Sequence, residues 1–553
     1  MTGSTEHVAA VEVRTQTLRL KRGLTLAPLV GIMYFTVCGG TFGVESLFGN
    51  DGSGPGLGLL LLFVVPLIFS VPLMLMVHEM NSMMPHEGGY YHWLKQAFGP
   101  FAGFLGGWMN LVVSWLDASI YPVLGAVYLA FIFPALNDGM TVLGFELSGT
   151  MVSFIGGALL IWLITALQAR GVRLTGLTTN WIGLIILVPL GAMTILGIAN
   201  ALGHGAPSLP FLPGGEDVSG DSLSGAFGLG LFVVMWNYMG FELATVAGDE
   251  IVKPKRTYPL AMLIVLILAI ATYVLPVIAG LYGGGGSDGR YLMWGVEAGD
   301  DQTIGTVMND AGIDTPTLVG WGVDPEGTSG WYLPDIAKAV GDNAAGAVGS
   351  DLGNLLGNAM TIAAALSMIG LFIGNSLGAS RVPFALAEDG MMPRWLVRVS
   401  PRYGTPWVAI AVAGVFYTIF ATNAFAFLVV ADVLLNALVI VACFFAVWRL
   451  RVTRPEATRP DLHRQRIPGG WPGLVLVTAG PVAVLSLAVY SQINDVGWDA
   501  VTLSIVAIVV GAILYFPLRA FTKPGVPDVD PYHEEAITSE VPIPTHLEAP
   551  HPA

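Results

Sequence analysis

Apolar stretches of about 20 residues, each long enough to cross a bilayer as a helix, recur along this chain. We count twelve of them between Leu24 and Leu518. Inside hydrocarbon every backbone N–H and C=O group must be paired within the protein, and a helix achieves this within one segment. The composition agrees, since 54% of the residues are hydrophobic and 11% are charged, against about 25% charged in soluble domains. The sequence therefore predicts an all-α integral membrane protein with twelve transmembrane helices.

Positive charges predict the orientation of these spans. Lysine and arginine concentrate in cytoplasmic loops. With the N-terminus inside, all 24 lysines and arginines except Arg290 and Lys338 fall in cytoplasmic segments. We therefore expect a multi-pass protein of the cell membrane, plasma or inner, with cytoplasmic N- and C-termini. The net charge of -15 is less informative, because many of the acids lie in one long loop and in the C-terminal tail.

The spans divide the chain into four predicted regions. A cytoplasmic tail (1–23) precedes a core of spans one to ten (24–448), which is followed by a basic loop with spans eleven and twelve (449–520) and a disordered, proline-rich tail (521–553). Within the core, the Gly- and Asp-rich segment 283–350 is expected to be an outer loop, either a lid or a surface insertion. A short helix is expected in it at Trp331 to Val340.

The first span contains a stretch that does not suit a continuous helix. Thr36 to Glu45 reads Thr-Val-Cys-Gly-Gly-Thr-Phe-Gly-Val-Glu. Unwound backbone persists in a bilayer only where it is buried in protein or lines a wet cavity, so we predict an interruption here that faces a substrate. The candidate binding residues at this break are Cys38, Gly39, Gly40, Thr41, Phe42, Gly43 and Glu45.

The sixth span, Leu223 to Gly248, has a similar polar and aromatic centre, Met-Trp-Asn-Tyr-Met-Gly-Phe-Glu at Met235 to Glu242. Counted from opposite ends of their spans, the two breaks lie at matching depth near the midplane. We therefore predict a LeuT-like 5+5 inverted repeat with broken helices 1 and 6, an arrangement typical of secondary transporters that bind substrate at the repeat interface. The candidates at the second break are Trp236, Asn237, Tyr238, Gly240 and Glu242.

Two long loop motifs resemble those of the amino acid-polyamine-organocation (APC) permeases. One is Pro-His-Glu-Gly-Gly-Tyr-Tyr-His-Trp from Pro85, and the other is Ala-Ser-Arg-Val-Pro-Phe-Ala-Leu-Ala-Glu-Asp-Gly from Ala379. The resemblance is strongest to polyamine and amino acid uptake transporters. It rests on the segments Gly39 to Glu45, Ser114 to Pro122, Trp236 to Gly240 and Ala247 to Glu250. Cys38 to Thr41 replaces the Gly-Ser-Gly-Ile pattern of amino acid permeases, which weakens the implied cradle for a substrate carboxylate.

Acids inside the membrane mark functional positions, because a charge at the bilayer centre costs about 2.5–3.5 kcal/mol on insertion scales. Glu45 and Asp117 are candidates for binding a substrate amine or a proton, although Glu45 equally suits pairing with a freed backbone N–H group. Glu242 suits either role or a helix cap. The coupling and gate candidates are Glu45, Asp117, Glu242, Asp249 and Glu250.

Other side chains extend this interpretation. Phe42, Trp236 and Tyr238 are candidates for cation–π contact with a substrate, or for core packing. We expect proton coupling through a buried carboxylate, with sodium coupling or exchange as alternatives; Ser367 is a weak sodium-site candidate. Asp432 in span ten has no assigned role.

The sequence thus predicts a secondary active transporter that takes up an amino acid or a polyamine by alternating access. The alternatives are a transporter-like nutrient sensor and an amine exchanger. We find no metal-ligand spacing of His, Cys or Asp and no Gly-rich Lys-Ser/Thr nucleotide loop. We therefore predict no metal, cofactor, nucleic acid partner or enzyme activity. The expected partners are a small amine or amino acid, a proton or sodium ion, and the lipid bilayer.

Overall fold

The computed structural model describes residues 24–48, 53–84, 89–130, 132–133, 136, 139–142, 144–204, 209, 211–212, 220–241, 251–283, 333–347, 349–376, 378–422, 425–454, 466–495 and 499–521. These residues are mainly helical, with one exposed antiparallel hairpin, β1 (Met140–Val142) and β2 (Phe145–Leu147). The helices are α1 (Leu26–Val37), α2 (Gly54–Met83), α3 (Tyr90–Phe98), α4 (Pro100–Ala130), α5 (Gly149–Ala169), α6 (Val172–His204), α7 (Gly220–Tyr238), α8 (Pro254–Gly283), α9 (Leu333–Ala345), α10 (Asp351–Asn375), α11 (Gly378–Glu388), α12 (Trp407–Phe420), α13 (Phe425–Thr453), α14 (Gly470–Asp495) and α15 (Asp499–Phe521).

Many of these helices have the dimensions of membrane spans. In the described part of the chain, eight helical segments are long and apolar enough to cross a membrane, and two shorter apolar helices, α1 and α12, accompany them. Large apolar side chains also point outward, as Leu202 (83% exposed) and Leu476 (76%) do. Such a surface suits lipid, because water would not accommodate apolar side chains so extensively. The chain is therefore a multi-pass membrane protein, while the count of twelve spans and the inverted repeat stay predictions.

Helix α1 lies inside the bundle, packed against α6, α8 and α10. Small residues allow this close packing: a Cβ atom added at Gly374 of α10 would lie 2.5 Å from the Phe35 carbonyl oxygen. Two described parts of the chain after α7 contact α1 and a residue just before it. The Val252 N–H donates to the Leu24 carbonyl at 2.8 Å, and Gly240 contacts Thr36.

The helix expected at Trp331 to Val340 is present as α9, but it is not confined to the surface. Its first residues, including Leu333 and Ile336, are fully buried, and α9 packs against α6 and α10. The Asn200 side chain of α6 donates to the carbonyl groups of Gly283 and Val340 at 3.2 and 3.0 Å. The apolar face of α9 therefore packs against neighbouring helices of the bundle.

A buried ion pair joins α2 to α13 and α14. Arg451 donates to both carboxylate oxygens of Glu79, with an Nε to Oε1 distance of 2.8 Å. The Ile467 N–H adds a third hydrogen bond at 2.7 Å, and Arg451 also donates to the Gly470 carbonyl at 3.1 Å. Both charged side chains are almost completely buried. Such a pair is held by its reciprocal bonds, and removing either partner leaves an uncompensated buried charge.

We expect Arg451→Met to destabilise the fold by about 3–5 kcal/mol, because it leaves the Glu79 carboxylate buried without its counter-ion. The measurement is the apparent midpoint of thermal unfolding in detergent. Arg449→Met on the exposed side of the same helix is the matched control and should shift the midpoint little. An Arg451 variant that unfolds at the wild-type temperature would contradict the prediction, and Glu79→Gln/Arg451→Met should recover part of the loss.

A second polar cluster links the two loop motifs quoted from the sequence. Asp389 accepts hydrogen bonds from the Tyr91 hydroxyl at 2.5 Å and the Lys95 ammonium at 2.9 Å. Burial alone would raise the pKa of Asp389, but the nearby charges of His92 and Lys95 and these hydrogen bonds outweigh it and hold the pKa below its usual value. The cluster therefore favours the ionised form of the Asp389 carboxyl group. Its hydrogen bonds join α3 to the turn after α11.

Because the folded-state pKa of Asp389 is lowered, its contribution to stability is present above the unfolded pKa of about 3.9 and is lost as the pH falls through the folded value. We expect Asp389→Asn to unfold at a lower temperature than wild type at pH 7. The difference in unfolding temperature between wild type and Asp389→Asn should become smaller as the pH is lowered towards 3. Glu146→Gln, an exposed substitution in β2, is the control and should unfold at the wild-type temperature at pH 7. A difference between wild type and Asp389→Asn that is constant with pH would contradict the prediction.

Candidate substrate site

The first break lies where the glycines of span one stand. Helix α1 ends at Val37, and Gly39, Gly40 and Gly43 have φ angles of 65°, 112° and 86°. These left-handed conformations suit glycine because a Cβ atom makes them costly. A short 3-10 turn, Glu45–Phe48, follows. The helix is therefore interrupted over the segment that the sequence predicted.

The second break begins slightly later than its sequence suggested. Trp236, Asn237 and Tyr238 are still in the last turn of α7, and the non-helical backbone begins at Met239. Gly240 has a φ of 106°, and a Cβ atom placed on it would lie 2.2 Å from the Thr36 carbonyl oxygen. The ends of the two half-helices are thus in direct contact, and only a glycine allows this approach.

The Tyr273 hydroxyl of α8 binds both helix ends at once. Its oxygen lies 3.2 Å from the Cys38 carbonyl and 3.0 Å from both the backbone carbonyl and the side-chain oxygen of Asn237. A hydroxyl has one proton to donate, so three acceptors share it. The junction between the breaks therefore keeps spare acceptor capacity. The sequence did not single out Tyr273, because a tyrosine in an apolar span resembles ordinary core.

A cavity lies at this junction, and its empty space is about 450 Å³ when the part open to solvent is included. Six of the predicted binding residues line it: Cys38, Phe42, Asp117, Trp236, Asn237 and Gly240. Residues that the sequence analysis did not propose for the site also line it, namely Thr36, Tyr121, Tyr273, Asn375, Asp432 and Asn436. Most of these come from α4, α8, α10 and α13, so packing of distant spans brings them together.

Asp117 is the predicted acid that the fold brings to the cavity. The residue is 7% exposed, and its carboxyl group accepts a hydrogen bond from the Tyr121 hydroxyl one helical turn later, at 2.7 Å. The Trp236 side chain is a second hydrogen-bond partner of this carboxyl group. The carboxylate therefore lies between α4 and the end of α7, with its neighbours acting as donors.

Glu45 has a different setting, beside the break and away from the cavity lining. One carboxylate oxygen accepts from the Gly43 N–H at 2.8 Å. The other accepts from the Tyr128 hydroxyl at 2.8 Å and from the Leu333 N–H at 3.3 Å. Of the two interpretations open from the sequence, these contacts match the pairing with a freed N–H group. Glu45 thereby joins the first break to α4 and to the start of α9.

The remaining predicted residues hold the breaks in place. The Thr41 hydroxyl donates to the Thr272 carbonyl, and the Ser367 hydroxyl donates to the Gly39 carbonyl. The Tyr238 hydroxyl donates to the Leu62 carbonyl at 3.0 Å, so this ring is directed into α2. Glu242, Asp249 and Glu250 lie outside the described residues.

Four N–H groups of the first break, those of Cys38, Gly39, Gly40 and Gly43, already have protein acceptors. Those of Cys38 and Gly39 donate to the Tyr34 carbonyl at 2.8 and 3.1 Å, and that of Gly40 donates to the Cys38 sulfur at 3.3 Å. The Gly43 N–H donates to Glu45. The C-terminal end of α1 at this break contributes carbonyl groups and the negative end of the helix dipole. Such a surface attracts cations.

The model of the family described as amino acid permease matches residues 32–288 and 331–514. The chain belongs to the amino acid permease family. This confirms the resemblance to the APC permeases, and with it that the protein is a membrane transporter of small molecules and not an enzyme. The match omits residues 289–330, which lie in the predicted outer loop.

The chain is also similar to individual transporters and to a solved structure. Polyamine transporter RMV1 of Arabidopsis thaliana is 27% identical over 510 residues, covering 92% of this permease and 88% of that protein. Polyamine transporter PUT1 of Oryza sativa subsp. japonica is 27% identical over 502 residues, covering 91% and 79%. The fold is similar to that of the crystal structure of MhsT in complex with L-phenylalanine, with a TM-score of 0.55, 14% identity, and coverage of 86% of this permease and 99% of that chain.

The contact between the breaks makes a specific prediction for Gly240. We expect Gly240→Ala to abolish transport, because the new methyl group would overlap the Thr36 carbonyl and the φ angle is unfavourable for alanine. The measurement is the initial rate at which the protein in liposomes takes up a radiolabelled substrate, spermidine in the assay described below. The control is Gly191→Ala in α6, where a Cβ atom would meet nothing within 4 Å. Wild-type transport by Gly240→Ala would show that this close approach is dispensable.

Proposed function

We propose that this permease takes up a polyamine across the cell membrane by alternating access. The observation that carries the proposal is the charge of the cavity. Asp117 and Asp432 line it, and the described lining residues include no lysine, arginine or histidine. The C-terminal ends of α1 and α7 add carbonyl groups and partial negative charge. A protonated amine complements this lining, and the two relatives named polyamine transporters agree with that choice.

An amino acid would need a second kind of contact. Its carboxylate requires several N–H donors or a basic side chain, as a half-helix N-terminus can supply. At the first break, the N–H groups of Cys38, Gly39, Gly40 and Gly43 already donate to protein acceptors. A carboxylate bound by these four N–H groups would displace internal hydrogen bonds, and it would lie in a cavity lined by two acids. These costs favour a substrate that carries only ammonium groups.

Aromatic side chains complete the amine site. Phe42 and Trp236 both line the cavity, and Phe42 packs edge-on against Tyr128, with ring centroids 5.8 Å apart. Aromatic faces attract cations and also pack against methylene groups. Alternating amine and methylene groups along a polyamine would find suitable partners in the acids and the rings.

Proton coupling requires a carboxyl group other than the one that binds the amine. A proton and an ammonium group on the same carboxylate would compete, which gives exchange rather than symport. We assign the proton to Glu45 and the amine to Asp117. Protonation of Glu45 would weaken its hold on the Leu333 N–H, and so link proton binding to the position of α9.

The test is uptake of radiolabelled spermidine by purified protein in liposomes. We expect unlabelled spermidine to compete, arginine and a neutral amino acid to compete weakly, and an acidic exterior to increase uptake. Asp117→Asn should reduce spermidine affinity by about 10- to 100-fold, as expected for loss of a charge-assisted hydrogen bond.

Asp351→Asn, at an exposed helix start, is the matched control and should leave the affinity unchanged. Stronger competition by a neutral amino acid than by spermidine would reject the polyamine assignment. Specific binding without flux would instead indicate the sensor that the sequence left open.

A further inference from the structure

A second acid faces the cavity from α13 and has no part in the amine contact assigned above. Asp432 and Asn436 stand four residues apart, so they share one face of the helix. Both line the cavity and both are buried, at 3% and 4% exposure. An acid at such a position is costly to bury in a membrane. Asp432 nevertheless lies on the cavity face, where a bound ligand can reach it.

Asn375, the last residue of α10, supplies the independent observation. It lines the cavity and is 1% exposed. Its amide nitrogen donates to the Tyr121 hydroxyl at 2.9 Å and to the Leu371 and Phe35 carbonyls at 3.2 and 3.4 Å. Carbonyl groups only accept, so these contacts fix which end of the amide is the nitrogen.

The opposite end of the Asn375 side chain is the oxygen. Among the described residues, this buried oxygen has no hydrogen-bond donor. A buried acceptor left without a donor costs about 1–3 kcal/mol. A ligand that brings N–H groups into the cavity would remove this cost. The Asn375 amide oxygen can therefore accept a hydrogen bond from a ligand, and Asp432 and Asn436 line the same cavity.

Tyr121 separates the two acids. Its hydroxyl proton is donated to Asp117 at 2.7 Å, and its oxygen accepts from Asn375. Asp432 lies within electrostatic reach of the same hydroxyl, although the proton is committed to Asp117. The cavity therefore has two acidic regions around one tyrosine: Asp117 beside the helix breaks, and Asp432 with the two asparagines.

We propose that Asp432, Asn436 and Asn375 form a second ammonium-binding subsite, so that the preferred substrate carries at least two protonated amino groups, one held by Asp117 and one by Asp432. This inference rests on the proposed function and deepens it. A diamine can place one ammonium group beside each acid, whereas a monoamine can contact only one of them at a time. The permease should therefore select by the number of ammonium groups as well as by their presence.

The experiment compares 1,4-diaminobutane with butylamine, which has the same carbon chain and one amino group fewer. Each amine competes with radiolabelled spermidine for uptake by wild-type protein in liposomes. We expect the diamine to bind about 10- to 100-fold more tightly than the monoamine, as one charge-assisted hydrogen bond would give. Equal affinities in the wild type would overturn the second subsite, and would do so without any variant.

Asp432→Asn tests the residue itself while preserving side-chain volume. We expect it to lower diamine affinity at least tenfold and to change butylamine affinity less than threefold, so that the preference disappears. Asp117→Asn should instead weaken both amines. Equal losses for both amines in Asp432→Asn, or no loss for either, would overturn the assignment. If Asp432→Asn fails to fold, Asn436→Leu replaces it and should reduce the same preference; an unchanged preference there would also overturn the subsite.

The outcomes separate this inference from the proposed function. If neither amine competes and a neutral amino acid does, the polyamine assignment fails and the subsite fails with it. If both amines compete equally, amine uptake stands and only the second subsite is rejected.

Discussion

One phenol hydroxyl holds together the two interrupted helices on which this structure depends. Unwound backbone in a membrane must find partners within the protein, and Tyr273 contacts the carbonyl groups of both Cys38 and Asn237. Because it can donate only one proton, it brings these acceptors close together without satisfying all of them. The same interaction therefore fixes the relative position of the breaks and leaves the cavity with a surplus of acceptors.

Close packing and charge placement reinforce each other around this point. Gly240 brings the end of α7 onto the Thr36 carbonyl, so the negative ends of two helices meet at one place. Two like dipole ends repel unless something positive lies between them or donors surround them. In this fold the surrounding donors come from tyrosine and asparagine side chains, and the remaining negative character favours a cationic substrate. The amine affinity that we propose would thus follow from how the helices are broken.

The two acids beside the breaks show how similar sequence signals take different roles. Glu45 accepts three hydrogen bonds from Gly43, Tyr128 and Leu333, which ties the first break to α4 and α9. Asp117 lines the cavity with two donors beside it. Both acids were equal candidates in the sequence. Their contacts separate a residue that sets the position of helices from one that is available to a ligand.

The sequence alone determined the membrane class, the family resemblance and the first break, because apolar length and clustered glycines act locally on the backbone. It also placed Asp117 and Asn237 near a site. It did not reveal Tyr273 or Asn375, or which acid faces the cavity. Spans that are apolar on every side carry no periodic signal for their rotation, so only packing against neighbouring helices decides where each polar side chain points.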